Sequence, residues 1–289
     1  MKEVRNINSY LIDKTDISKS YLLELFASIG EYREELVLIG GWAPYFILDQ
    51  NLVGKTEFKH IGSIDIDLAV NPELIETSPD KYKLLIEYLE DLGYENKHSR
   101  TKENVPASFV KTVKDNLEIQ IDLLTSLNVN LGKAHRHLKI QPELLARRTK
   151  GIDIVFDHNF KYILSGNLPD GGGETKIEIR IANILSMIIM KGFVLDQRLD
   201  GKDAYDIYAL VKYYKKGYKS VALEIKEYKD NELIQESIRI ISEKFEKRSS
   251  VGPKQVGKFM YPEQISKELR EQTITDAWMN VNEFIKMLK

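Results

Sequence analysis

With 289 residues, 43% of them hydrophobic and 30% charged, the chain can build one large domain or two ordinary ones beneath a well-solvated surface. A formal net charge of −2 gives no global attraction to nucleic acid, so any RNA contact must come from local clusters. The absence of cysteine excludes disulfides, thiolate zinc sites and cysteine nucleophiles. The N-terminal MKEVRNINSYLIDK carries no apolar signal core, and no apolar run is long enough to span a bilayer, so the expected location is cytoplasmic.

Residues 16–29 read as an amphipathic helix, with Leu22, Leu25, Phe26 and Ile29 at helical spacing, Asp16 or Ser18 as N-cap and Gly30 as the stop. Leu36 to Ile39 form a core strand. The pair Gly40-Gly41 follows, then a short helix from Trp42 to Leu48 with Pro44 in its first turn. A glycine pair before a helix offers backbone N–H groups and a positive helix end, suited to a triphosphate. Residues 49–62 form a polar connection that contains Lys59 and His60.

Ser63 to Val70 alternates as a strand. Ile64, Ile66 and Leu68 then pack, while Ser63, Asp65 and Asp67 share the other face. A solvated strand face shows the same alternation without any chemistry. Two adjacent acids nevertheless repel one another, and a hard divalent cation such as magnesium removes that repulsion.

A helix is expected from Ser78-Pro79-Asp80 to Leu92, closed by Gly93, followed by strands over 94–99 and 108–114. Asp115-Asn116 reads as a tight hairpin turn. The strand Leu117–Leu124 alternates Leu117, Ile119, Ile121 and Leu123 with Glu118, Gln120 and Asp122. Acids on two adjacent strands can hold two metal ions about 3.5–4 Å apart, an arrangement that activates a hydroxyl and stabilises a leaving phosphate. The densest basic cluster comes next: Lys133, His135, Arg136, His137, Lys139, Arg147, Arg148 and Lys150. It can hold an RNA backbone or be a solvated hairpin face.

Leu168-Pro169-Asp170-Gly171-Gly172-Gly173 is a turn signal. A strand over Lys176–Ile181 leads, through Asn183 as cap, into a very apolar helix to about Leu195 that contains Lys191. That lysine either snorkels to solvent or points into a cleft. Lys202, Asp203 and Asp206 follow, Asp203 equally readable as a first-turn acid and Asp206 as structural. Beyond Val221 the periodicity is helical over Leu223–Tyr228, Glu232–Phe245 and Glu263–Leu288, with a break at Ser249–Pro253. The expected division is a sheet-bearing lobe over 1–175 and a helical lobe over 176–289.

Gly40-Gly41, then Asp65-Ile66-Asp67, then Asp122 within an apolar strand resembles the DNA polymerase β superfamily of nucleotidyltransferases. The long gap between the glycines and the paired acids, together with Lys191 and the later Lys202-Asp203-x-x-Asp206, resembles the AbiEii family of abortive-infection nucleotidyltransferase toxins. One departure stands out: Ile61 occupies a position, four residues before the first aspartate, where relatives usually carry arginine, so the phosphate contact that arginine makes is lost here unless Lys59 or His60 substitutes. The resemblance implies an α+β fold, a mixed polymerase β-like sheet flanked by helices and followed by a mainly helical lobe. It implies that Asp65 and Asp67 hold two magnesium ions (or manganese), with Asp122 on the ion that activates the acceptor hydroxyl. Gly40, Gly41, Ser63, Lys191 and Lys202 would grip the nucleoside triphosphate, and Asp203 would orient Lys191 or the attacking group. It further implies an RNA acceptor, the 3′ end of tRNA foremost, and a toxin opposed by a separately encoded antitoxin. An antibiotic-modifying nucleotidyltransferase shares the same acids, and a non-catalytic nucleotide-binding module shares the fold.

Overall fold

The computed structural model describes residues 6–51, 58–71, 73, 83–99, 101, 103–127, 136–198, 200–262 and 266–289. The first helix, α1, spans Ile12–Ser28 and so begins a turn before the expected caps. Asp16 and Ser18 therefore lie inside it. Ser18 turns its hydroxyl to the Ile64 carbonyl at 2.7 Å instead of capping. Gly30 stands just past the helix end at φ +56°, the left-handed conformation that ends helices.

β1 (Leu36–Ile39) and α2 (Trp42–Asn51) follow, then β2 (Ile66–Val70), α3 (Leu85–Asp91), β3 (Glu95–His98), β4 (Asn104–Thr112) and β5 (Glu118–Ser126). The expected start of α3 at Ser78-Pro79-Asp80 lies outside the described residues. β6 (His137–Gln141) and β7 (Leu144–Thr149) form a hairpin, α4 (Asp153–Asp157) a single turn, and β8 (Asn159–Asn167) and β9 (Glu174–Ala182) a long second hairpin. Asp115 and Asn116 take φ of 59° and 54° between β4 and β5, as expected of residues that tolerate a left-handed backbone.

These strands make one mixed nine-stranded sheet in the order β3-β4-β5-β2-β1-β9-β8, with β7 beside the end of β5 and β6 beside β7. β2 lies antiparallel to β1 and parallel to β5. On one face Leu36, Leu38, Ile66, Leu68, Ile121 and Ile181 are buried, as are Leu22, Leu25 and Phe26 of α1, which packs on β8 and β9.

The remaining helices are α5 (Ile184–Gln197), α6 (Gly201–Tyr213), α7 (Tyr218–Lys226), α8 (Glu232–Lys244), α9 (Val251–Met260) and α10 (Lys267–Leu288). The expected loop at Ser249–Pro253 is shorter than its composition suggests. Ser250 occupies the N-cap position of α9, and Gly252 and Pro253 lie in its first turn, where a proline costs no hydrogen bond. A Cβ at residue 252 would come within 2.5 Å of the Phe245 ring, so close packing accounts for the glycine. None of the described helices is long and apolar enough to cross a membrane.

The fold is α+β. The chain groups into two compact units, each assembled from separated segments. The sheet unit holds 12–43 and 63–183, with all nine strands; the helical unit holds 1–11, 44–62 and 184–289.

Candidate active site

In the sheet unit, register brings two of the expected acids together. Asp67 pairs directly with Asp122 across the parallel β2–β5 ladder, and with Ile39, the last residue of β1, on its other side. Directly paired residues on neighbouring strands project from the same face, with strands about 4.8 Å apart. Asp67 and Asp122 therefore stand side by side on the face opposite α1.

Gly40 and Gly41 form the turn between β1 and α2. Gly40 adopts φ +66°, and a Cβ built there would lie 1.9 Å from Oδ2 of Asp67. Both the backbone conformation and the carboxylate pressed against it require glycine at this position. The turn and the first acid thus form one packed feature.

Asp122 is held by neutral donors. Gln120 Nε2 donates to both carboxylate oxygens at 2.8 Å, and the Ser108 hydroxyl, directly across the β4–β5 ladder, donates to Oδ1. These bonds fix the rotamer without cancelling the charge.

Asp65 and Ser63 differ from expectation. The ladder begins only at Ile66, and a bend covers Ile64 and Asp65. Gly62 at φ +73° and the Ser18 bond to the Ile64 carbonyl divert this stretch from strand geometry. Ser63 is buried and Asp65 half-buried, so alternation along a strand does not set their direction. Among the described residues, no three His, Asp or Glu side chains are grouped to hold a metal ion unaided.

The basic cluster continues the same sheet face. Arg147 pairs with Leu124, two residues beyond Asp122, and His137 pairs with Arg147, while Lys139 pairs with Leu145. His137, Lys139 and Arg147 therefore project from the face of Asp67 and Asp122. Partial burial, then the Arg136 and Arg147 guanidiniums, hold the His137 imidazole below its ordinary range. Lys133 and His135 lie outside the described residues.

Lys191, Lys202 and Asp203 belong to the helical unit, in a buried charge cluster centred on Asp206. Lys191 Nζ reaches Asp203 Oδ1 at 2.8 Å and Asp206 Oδ2 at 2.6 Å. Lys202 Nζ reaches Asp206 at 3.1 Å and lies 5.3 Å from the centre of the Tyr10 ring. Arg198 Nε donates to the other oxygen of Asp203 at 2.8 Å, and Asp200, not Asp203, caps α6 through the Lys202 N–H.

His60 completes the cluster. The Gly62 N–H donates to its Nδ1, so Nε2 carries the proton and donates to Asp206 at 3.0 Å. Burial pushes this imidazole down to about 4, against the pull of Asp206. Burial alone would raise Asp206, but the Lys191 and Lys202 ammoniums hold it far below the carboxylate range. Burial likewise opposes the charge on Lys191, yet Asp203 and Asp206 raise it overall. Sequence reasoning missed the pairing of His60 with Asp206. The one local signal for the cluster is the i,i+4 spacing of Lys202 and Asp206.

No protein-family model matches the chain, and no curated protein does either. Among solved structures, the chain is similar to the lincomycin-bound lincosamide antibiotic adenylyltransferase LnuA, at 18% identity and a TM-score of 0.31, over 67% of this chain and 94% of that one. It is also similar to an antigenic nucleotidyltransferase-like protein from Paracoccidioides brasiliensis, at 10% identity and a TM-score of 0.37, over 76% and 93% of the two chains. Likeness this remote assigns no activity, which has to be argued from the chain's own residues.

Proposed function

We propose that the chain is a nucleotidyltransferase that moves a nucleoside monophosphate from a nucleoside triphosphate to an acceptor hydroxyl. One observation carries the reading: Asp67 and Asp122 stand side by side in register, with the Gly40 turn packed against the first of them. In this reaction the acceptor oxygen forms a bond to the α-phosphorus, and the bond from that phosphorus to the bridging oxygen breaks to release pyrophosphate. Asp122 takes the hydroxyl proton, held in place by Gln120 and Ser108. On the resemblance, Gly40 and Gly41 would hold the phosphates through backbone N–H groups at the start of α2.

The donor set fits magnesium, or manganese, bound jointly with substrate. Magnesium is commonly held by one or two carboxylates plus substrate phosphates, not by a closed protein cage. Asp67 and Asp122 supply such a pair of hard oxygen donors, and Asp65 is the third candidate ligand. The ion would neutralise charge on the triphosphate and acidify the acceptor hydroxyl.

For the acceptor we propose RNA, with the 3′ end of tRNA first, in the setting of a cytoplasmic toxin restrained by a separately encoded antitoxin. The basic stripe of His137, Lys139 and Arg147 on the acid face supports a polyanionic acceptor. Lys191, Lys202 and Asp203 enter on the family resemblance alone. Activity of a Lys191→Arg variant, measured beside its melting temperature, separates a phosphate contact from a structural one.

The test is incubation with labelled triphosphates and magnesium, once with total tRNA and once with aminoglycosides or lincosamides. Labelled tRNA is expected, and Asp122→Asn should lower the yield by about 10²–10³-fold or more, as for loss of one charge-stabilising group at a reacting centre. Its melting temperature should stay close to that of the unaltered chain. Undiminished transfer by Asp122→Asn would refute the assignment, and label on the small molecule alone would replace the acceptor.

A further inference from the structure

The two edges of the sheet are built differently. β3 closes one edge with four residues, Glu95-Asn96-Lys97-His98, and its register slips between Asn96 and His98. Short, charged and irregular edges resist the addition of another strand. β8 closes the other edge with nine residues in unbroken register against β9. Its one charged side chain, Lys161, is already paired with Glu178 at 2.6 Å. At its midpoint Ile163 is 46% exposed. A long, regular edge with an apolar centre and little free charge is a template for another strand.

The sequence of β8 points to what that strand is. Reversed about Ile163, Asn159 meets Asn167, Phe160 meets Gly166, Lys161 meets Ser165 and Tyr162 meets Leu164. No like charges oppose each other, the ring of Phe160 gains the space beside a glycine, and Ile163 meets itself. Cross-strand pairs of this kind stabilise an antiparallel ladder.

We propose that β8 pairs antiparallel with β8 of a second copy of this chain, about a two-fold axis at Ile163, joining two sheets into one. The contact is isologous, so it closes after two copies.

Because the chain has no cysteine, introduced thiols report the register directly. Facing Cα atoms in such a ladder lie about 4.5–5.5 Å apart, within disulfide reach. Under mild oxidation the full-length Ile163→Cys chain should cross-link to itself. Ser165→Cys alone should not, but a mixture of Ser165→Cys and Lys161→Cys should. Light scattering should give twice the 33.4 kDa chain mass for the unaltered protein and the single mass for Ile163→Lys, which should still unfold cooperatively because the side chain it replaces is exposed, its melting temperature no longer rising with concentration. An unaltered chain of single mass at every concentration would overturn the proposal. So would self-cross-linking of Ser165→Cys as readily as Ile163→Cys, or pairing of β8 only with a strand of a different protein.

Discussion

Asp122 and Asp206 are chemically identical side chains that the two units of this protein treat in opposite ways. Asp206 is wholly buried and accepts from Lys191, Lys202 and His60, two of them full positive charges. Asp122 is half-buried beside another carboxylate and, among the described residues, accepts from the amide of Gln120 and the hydroxyl of Ser108. In the helical unit the protein cancels its own charge. In the sheet unit it orients Asp122 with neutral donors. A buried cluster that is internally compensated adds little net stability, although removing one member exposes the desolvation cost of the others.

The comparison breaks first at Asp206. Asp206→Ala leaves two buried ammoniums facing one carboxylate and should cost about 3–5 kcal/mol of stability, read as a shift in the denaturation midpoint. Asp122→Asn should scarcely move that midpoint. Equal losses for the two would mean that both acids are structural.

A somewhat smaller effect is expected from pH. The His60 imidazole sits at about 4 in the fold against an ordinary 6.5, so between these values the unfolded chain binds more protons. Its contribution, about 3 kcal/mol, is complete above 6.5 and is lost as the pH falls through 4. Asp203 and Asp206 are also held low, so their contribution fades only below 3.8, in a separate window. His60→Gln keeps a donor for Asp206 without a titrating ring and should flatten the stability–pH curve between 6.5 and 4. An unchanged slope would show that His60 is not the titrating group.

A smaller stability effect than either of these sharpens the sheet side. Gly40→Ala forces an L side chain into a left-handed backbone, at about 1–2 kcal/mol, and pushes against Asp67. Activity should fall by far more than that stability loss implies, because the carboxylate must move. A variant with full transfer activity would separate the glycine turn from the site.

Much of the sheet was legible in the sequence because period-two alternation is a local property. Leu36–Ile39, the core of the Asp122 strand and the Asp115-Asn116 turn all follow from residue types within a few positions of each other. The bend at Ile64–Asp65 was not legible, since a hydroxyl 46 residues away in Ser18 takes the carbonyl that a strand would have used. The helix start at Val251 was hidden by Gly252 and Pro253, which usually mark a loop but here occupy a first turn packed on Phe245.

By itself the sequence determined which side chains alternate, where glycine relieves the backbone, and which acids and bases are on hand. Only the tertiary structure decided who meets whom. The register of three strands sets Asp67 beside Asp122 and against Gly40. A separation of 146 residues closes between His60 and Asp206. Segment 44–62 joins the C-terminal helices instead of its neighbours in the chain. The physical reason is that local propensity acts over a turn or a strand, whereas charge compensation and close packing act across whatever distance the folded backbone removes.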